Sequence, residues 1–402
     1  MVTEVVVLVN LVFLIIALGF LVPSGVLFIE CLSAILSSPF REEKREQQPT
    51  KVAVVVPAHN EASKIKNTLE TLLPQLTFQD RLLVIADNCT DETAAIARQC
   101  GAIVIERQNS QQQGKGYALD YGLQFLEADP PEVVCLVDAD CTVKENTIAK
   151  IAQLAKTANK PVQATYLIEP SAYQGTKDII STLAIRIKNL VRPYGLARLG
   201  LPCLLTGSGM AFPWQLIRQA SLASGNIVED MQLGIDLTLA GYSPIFCLEA
   251  KVLSILPSRE ETAITQRKRW EHGHLQTLLT QVPRLLKASV VKRRFDLFAL
   301  ALELCVPPLS LLLMLWTVAL GGALLTGILT KVWIGSLILA VAGLLIFISV
   351  LGAWVKFCRA DIPGLALLTI PLYLFWKVPL YFAFLIKPET KWIRTRRDTE
   401  NF

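Results

Sequence analysis

The sequence has nine cysteines, but no Cys-x-x-Cys pair and no cysteine spacing that suits a metal. Cys89, Cys100, Cys135 and Cys141 therefore read as reduced, small core residues of a cytosolic domain. Gly-x-Gly-x-x-Gly is missing after the first expected strand, so nicotinamide-dependent hydride transfer lacks its fingerprint. There is no internal repeat and no low-complexity tract. Histidine is scarce, with three in 402 residues. His272 and His274, two apart on an expected helix, point to different faces and read as polar surface rather than metal ligands. No Lys or Arg precedes the first apolar run, Val5 to Val22 and on to Ile29. That run exceeds a signal-peptide core of about 7–15 residues and reaches the roughly 20 needed to span a bilayer, so an uncleaved membrane helix is expected.

Apolar residues are abundant instead. They make up 52% of the chain, and a mean hydropathy of +0.45 is too high for an ordinary soluble protein. They collect at the two ends, around a more polar middle. The net charge is +5, with Lys and Arg concentrated beside the apolar runs, which suits anionic membrane lipid and not nucleic acid. Near the C-terminus Lys287, Lys292, Arg293 and Arg294 precede an apolar segment from Leu297 to Thr330 that contains Glu303 and Pro307-Pro308. Val332 to Val355 carries no charge. Ile362 to Ile386 is interrupted by Pro363, Pro371, Lys377 and Pro379, and a basic tail follows from Lys387. The prolines and the positive-inside tendency predict that this last segment dips into the bilayer as two short helices and returns, with a single kinked crossing as the alternative.

The middle alternates buried-strand and helix patterns. Val52–Val56, Leu82–Ala86, Ile103–Ile105 and Val133–Val137 read as strands of a parallel sheet, separated by segments of helical spacing. The result is a Rossmann-like, doubly wound α/β pattern. Val133–Val137 runs into Asp138-Ala139-Asp140. Ligands of open α/β sheets sit outside the carboxyl ends of the strands, and Mg²⁺ or Mn²⁺ takes one or two carboxylates and completes its shell with substrate phosphates. Asp138 and Asp140 therefore suit a metal-diphosphate, with capping of the following turn as the competing reading. Further on, apolar residues recur at helical spacing from Asp178 to Leu199 with Arg186, Lys188, Arg192 and Arg198 among them. That pattern fits either a core helix or one lying on a membrane surface.

Five motifs in order, Pro57…Asn60-Glu61, Asp87, Asp138-x-Asp140, Glu229-Asp230 and Gln266-x-x-Arg269-Trp270, resemble the membrane-bound family-two glycosyltransferases. These are the relatives of cellulose, chitin, hyaluronan and poly-N-acetylglucosamine synthases. The resemblance covers roughly residues 50–285. It implies a GT-A fold flanked by transmembrane and interfacial helices, divided as 1–40 (N-terminal transmembrane helix), 41–285 (cytosolic catalytic domain) and 286–402 (transmembrane bundle and basic tail). It also implies inverting transfer from a UDP-sugar to a glycan or membrane-associated acceptor. Pro57, Asn60, Glu61, Asp87, Lys115, Asp138, Gln266, Arg269 and Trp270 would bind the donor. Asp140 with Asp138 would hold Mg²⁺ or Mn²⁺. Asp230, beside Glu229, would be the general base, though both also suit a helix N-terminus. Gly207, Ser208 and Trp270 would face the acceptor. Single-sugar transfer to a lipid is the alternative, and an inactive membrane scaffold of an export system the more distant one. An export partner or self-association is expected if a polymer is made, because so few spans hardly enclose a pore.

Overall fold

The structure, a computed structural model, describes residues 2–37, 50–169, 175–223, 228–255 and 260–386. The basic tail from Lys387 and most of the charged linker from Arg41 to Lys51 lie outside the described residues.

In chain order, α1 (Val2–Leu36) precedes β1 (Val52–Ala58), α2 (Ile65–Leu72), β2 (Arg81–Asp87), α3 (Thr93–Gln99), β3 (Ile103–Arg107), α4 (Lys115–Leu126) and β4 (Val133–Leu136). Then come β5 (Cys141–Val143), α5 (Thr147–Ala158), β6 (Val162–Glu169), α6 (Thr176–Arg186), α7 (Arg192–Arg198), β7 (Met210–Pro213), α8 (Trp214–Gln219), α9 (Glu229–Ala240) and β8 (Ile245–Ile255). The chain ends in α10 (Glu260–Lys292), α11 (Phe295–Cys305), α12 (Leu309–Thr330), α13 (Ile334–Ala353) and α14 (Ile370–Ile386). It divides into two compact units, one helical (Met1–Ser38, Gly175–Gly200, His274–Pro388) and one built on the sheet (Pro39–Gln174, Leu201–Gly273, Glu389–Phe402).

The sheet has eight strands in the order β3-β2-β1-β4-β7-β6-β8-β5. β3, β2, β1 and β4 are parallel. Ala53–Val56, Leu83–Ile85 and Val133–Cys135 are fully buried, as strands covered on both faces must be, which is why they read as unbroken apolar runs. Strand order reverses between β1 and β4, so a switch-point crevice opens at the carboxyl ends of these two strands. The sheet is mixed, not purely parallel: β7 runs antiparallel to both β4 and β6. The pairing Cys135↔Ala211 brings the chain preceding β7 back to the end of β4.

Among the described residues of the helical unit four helices are long and apolar enough to cross a membrane: Thr3–Leu36, Leu309–Thr330, Ile334–Cys358 and Gly364–Ile386. Two expectations change here. The segment expected to be apolar from Leu297 breaks at Val306–Pro308, so that α11 ends at Cys305 and the candidate span starts at Leu309. Pro308 at the N-cap explains the break, since proline cannot extend a helix that would need its N–H. The two short re-entrant helices also give way to one element. A 3₁₀ turn, Gly364–Thr369, runs directly into α14. Pro371 falls in the first turn of α14, where a missing N–H costs nothing, and Pro379 is accommodated inside the helix. Lys377 is buried, its ammonium 5.6 Å from the Tyr373 ring and 5.7 Å from the Trp376 ring.

The segment 176–198 is helical, with a π turn at Ile187–Val191 joining α6 to α7. Its Arg192 is 4% exposed and does not face lipid headgroups. It donates from Nε to Glu30 Oε2 (2.6 Å) and from Nη2 to the Glu303 carbonyl (2.9 Å). Gly195, one turn on, lies against Glu30, where a Cβ would come within 1.9 Å of the Glu30 carbonyl oxygen. Only glycine permits that approach. The reading of His272 and His274 as polar surface is corrected too, because both are buried. His274 sits against the backbone carbonyls of Leu304 and Val306, and burial, with Lys188 and Arg192 near, lowers its pKa to about 3.

Candidate functional site

The site assembles at the carboxyl ends of β1, β2 and β4. At the end of β1 the chain turns through Asn60, whose φ of +54° is a left-handed conformation that Asn tolerates. Asn60 Oδ1 accepts from the Thr90 N–H (2.7 Å), and the Glu61 N–H donates to Thr93 Oγ1 (2.8 Å). The turns after β1 and β2 are thus stitched together beside Pro57, and Glu61 is buried between them.

Asp87 ends β2 and is buried. Its Oδ1 accepts from Arg107 Nη1 (2.7 Å) and from Asn88 Nδ2 (3.1 Å). Arg107, at the end of β3, also donates to the Gln112 carbonyl (2.8 Å) and lies 5.8 Å from the Tyr117 ring centre. Sequence reasoning missed Arg107, since an arginine at a short strand's end looks like surface.

Lys115 opens α4 behind Gly114, whose φ of +125° turns the chain into the helix. It is not a solvated lysine. Its ammonium is bonded to Asp138 Oδ1 and donates to the Gly207 carbonyl at 2.7 Å. Burial alone would lower its pKa, yet Asp138, then Glu229, hold it above the usual lysine value. Burial raises the Asp138 pKa, with Lys115 opposing. Asp140, two residues on, is half-buried.

Gly207 is the meeting point. Its φ is +96°, and a Cβ there would lie 3.2 Å from Asp230 Oδ2 and 3.8 Å from Lys115 Nζ. Donor-side and base-side candidates therefore converge on one peptide. Glu229 and Asp230 form the first turn of α9. They do complement the helix N-terminus, as the competing reading held, and they face Lys115 as well. Burial and the Asp230 charge push the Glu229 pKa up to about 7.

Gln266, Arg269 and Trp270 are half-buried on α10, within its first three turns. One turn beyond Trp270, Gly273 abuts Val228: a Cβ would come within 2.5 Å of Val228 Cγ1. α10 is therefore packed directly against the residue preceding Glu229-Asp230. Neither the sequence motif nor its spacing signalled this glycine contact.

Parallel strands with acids at their ends, continued by an antiparallel return that brings a second acidic pair to the same crevice, define a GT-A glycosyltransferase domain. The chain belongs to the family described as glycosyltransferase like family 2, whose profile matches residues 49–273. Among curated relatives it is 24% identical over 273 residues to the probable glycosyltransferase YdaM of Bacillus subtilis, covering 65% of this chain and 63% of that protein. It is 31% identical over 110 residues to the low-salt glycan biosynthesis hexosyltransferase Agl6 of Haloferax volcanii, covering 27% of this chain and 25% of that one. The chain thus spans less than two thirds of these relatives' lengths. Its fold is similar to that of the mannosyltransferase PcManGT from Pyrobaculum calidifontis, solved with GDP-Man and Mn²⁺. There the TM-score is 0.57 at 18% identity, over 94% of this chain and 100% of that one.

Proposed function

We propose that this chain transfers a sugar, with inversion, from a UDP-sugar to the hydroxyl of a membrane-associated acceptor. The observation that carries the reading is the convergence of Asp138, Lys115 and Asp230 on Gly207 at the switch point of the sheet. Asp230 takes the acceptor's hydroxyl proton while that oxygen attacks the anomeric carbon. The bond from that carbon to the diphosphate oxygen breaks, and its electron pair stays on the diphosphate. Backside attack inverts the configuration. Arg269 offers charge-assisted hydrogen bonds to the leaving phosphates, and Trp270 a flat face for an acceptor sugar.

The donor set of Asp140 and Asp138, hard oxygens only, fits Mg²⁺ or Mn²⁺. Among the described residues no cluster of three or more His, Cys, Asp or Glu could hold a metal, so the ion would need the donor's phosphates to complete its shell. When bound it supplies charge neutralisation for the diphosphate. The mannosyltransferase of similar fold was solved with Mn²⁺, which supports a divalent ion as the cofactor.

Uridine is favoured over guanosine by Asp87. Arg107 and Asn88 occupy both lone-pair directions of Oδ1, so a two-point contact with one N–H on each carboxylate oxygen is closed and only Oδ2 is left to accept from the base. Uracil presents one imide N–H, whereas guanine presents two donors on its corresponding edge. On this reading the chain has an N-terminal span (1–40), a cytosolic catalytic domain (41–285) and a C-terminal membrane region (286–402), with residues 175–200 and 274–285 of the middle part belonging to the helical unit. Four candidate spans favour a lipid-linked or membrane-embedded acceptor over a polymer threaded through a monomer's own pore. A long glycan, as made by the cellulose and chitin synthases, would call for a partner or further copies.

The test is release of UDP or GDP from a panel of nucleotide sugars by purified protein with Mn²⁺. Turnover of a UDP-sugar, abolished by EDTA and in Asp140→Asn, is expected. GDP-sugar turnover alone would overturn the base assignment, full activity in EDTA the metal, and folded protein inert to the whole panel the reading itself.

A further inference from the structure

Gly207 carries the site's geometry, yet it belongs to a loop, Thr206–Gly209, that lies beyond the end of a strand. β6 and β7 pair only at Val162↔Ala211 and Gln163↔Met210. One more backbone bond, from the Ala164 N–H to the Gly209 carbonyl (2.8 Å), closes that edge. Beyond it the sheet offers no ladder to fix residues 206–208.

A side chain takes the ladder's place. Gln163 is 1% exposed. Its Oε1 accepts from the Thr206 N–H at 2.9 Å. Its Nε2 donates to the Ser208 carbonyl at 2.9 Å and to the Ala164 carbonyl at 2.9 Å. A primary amide has one acceptor oxygen and two N–H donors, and here all of these are used. It brackets Gly207 from both sides, as an adjacent strand would. Ser208 Oγ in turn accepts from the Asp138 N–H (3.1 Å). The loop is therefore tied to the strand end that carries the donor acids, and Gly207's carbonyl holds Lys115.

We infer that Gln163 is a positioning residue for sugar transfer, setting the Gly207 peptide so that Lys115, Asp138 and Asp230 keep their mutual geometry. It touches neither substrate nor reacting atoms. The inference rests on the proposed roles of Asp230 and Asp138. Buried amides that satisfy three backbone groups at once are costly to disturb, because each group left without a partner bears its full desolvation penalty. A displacement of about 1 Å at reacting groups can cost on the order of 10²-fold in rate. The effect should therefore fall on kcat more than on the donor's KM, to which Asp87, Arg269 and Trp270 also contribute.

Gln163→Glu separates positioning from mere support. Protonated, the new carboxylic acid accepts from the Thr206 N–H and donates to the Ser208 carbonyl, restoring two of three bonds. Ionised, it faces the Ser208 and Ala164 carbonyls with a negative charge. Wild type has its own pH dependence, to which Asp138, Glu229 and Lys115 contribute, so the quantity to read is the ratio of variant to wild-type kcat. That ratio is measured on full-length protein with the UDP-sugar the donor panel selects. It should be within about threefold of unity at about pH 5.5 and fall to about a tenth or less by about pH 9.5, a range that covers buried glutamates with pKa values of about 8–9. Donor KM should stay within about threefold throughout. Gln163→Leu, which restores nothing, should be slow by about 10-fold or more at both ends of that range.

A flat ratio across pH, or full kcat in Gln163→Leu, overturns the inference. If Gln163→Leu does not fold, the pH ratio decides alone, since it compares folded Gln163→Glu protein at two pH values, each normalised to wild type. Asp230→Asn serves as the control. If that variant is active, the base assignment and this inference fall together. If it is inactive while the Gln163→Glu ratio is flat, only the role of Gln163 falls.

Discussion

Each of the two units holds a cation among several carboxylates, Arg192 in the helical unit and Lys115 in the sheet unit, and the two arrangements differ in how completely the cation is spent. In the helical unit Arg192 bonds Glu30 Oε2 at 2.6 Å and the Glu303 carbonyl at 2.9 Å, with Glu303 Oε1 at 3.4 Å. A planar fork meets partners on separate helices, with Gly195 letting the backbones touch. In the sheet unit Lys115 bonds one acid, Asp138, and one carbonyl, Gly207. Glu229 and Asp230 lie near enough to raise its pKa but are not bonded to it. The first cluster spends its cation on joining helices. The second leaves acids under-neutralised around a point charge, an arrangement that costs stability and keeps carboxylates available for chemistry.

That contrast is most exposed to test at Arg192. Arg192→Leu leaves Glu30 and Glu303 buried without their cation, and removing one partner of a buried ion cluster costs about 3–5 kcal/mol. Denaturant unfolding in detergent should show a loss of that size. A variant with unchanged unfolding but no transfer would reverse the assignment of roles.

Asp230→Asn should move the two readouts in opposite directions. Transfer should fall by about 10²-fold or more, the usual scale for a general base. Thermal unfolding should shift upward, because a negative charge is removed from an acidic cluster. UDP affinity, measured calorimetrically with Mn²⁺, should be nearly unchanged. A parallel loss of UDP binding would move Asp230 among the donor ligands.

The smallest effect is a slope. Glu229 has a folded pKa raised to about 7 by burial and by Asp230, so between its unfolded value and about 7 the folded state binds more protons than the unfolded one. That contribution to stability is complete below the unfolded pKa, about 4.3, and is lost as pH rises toward 7. Glu229→Gln should flatten this fall in pH-dependent thermal unfolding. An identical slope in the variant would show that Glu229 titrates normally.

Much of the sheet unit was legible in advance for one physical reason. Strands covered on both faces must be apolar throughout, so Val52–Val56 and Val133–Leu136 announce themselves, and acids that end such strands have only the crevice to face. Helix faces were read less well. His272 and His274 looked polar by composition, yet α10 is enclosed at that level and both are buried. The prolines of the last segment suggested a break, but Pro371 occupies a first turn that tolerates it. Arg107 and Gln163 gave no signal, because an isolated polar residue at the end of a strand has the same local pattern whether it meets solvent or a buried partner.

Local chemistry alone determined the strand and helix pattern, the apolar spans and the order of acidic motifs, since each depends on residues within one or two turns of one another. Tertiary structure alone decided which of these groups share a charge environment. Lys115 and Gly207 are 92 residues apart in the chain, and Arg192 lies 162 from Glu30. Such pairs form because burial strips water from a cation and leaves it to take whichever oxygens the fold has brought within about 3 Å, and no local period encodes that choice.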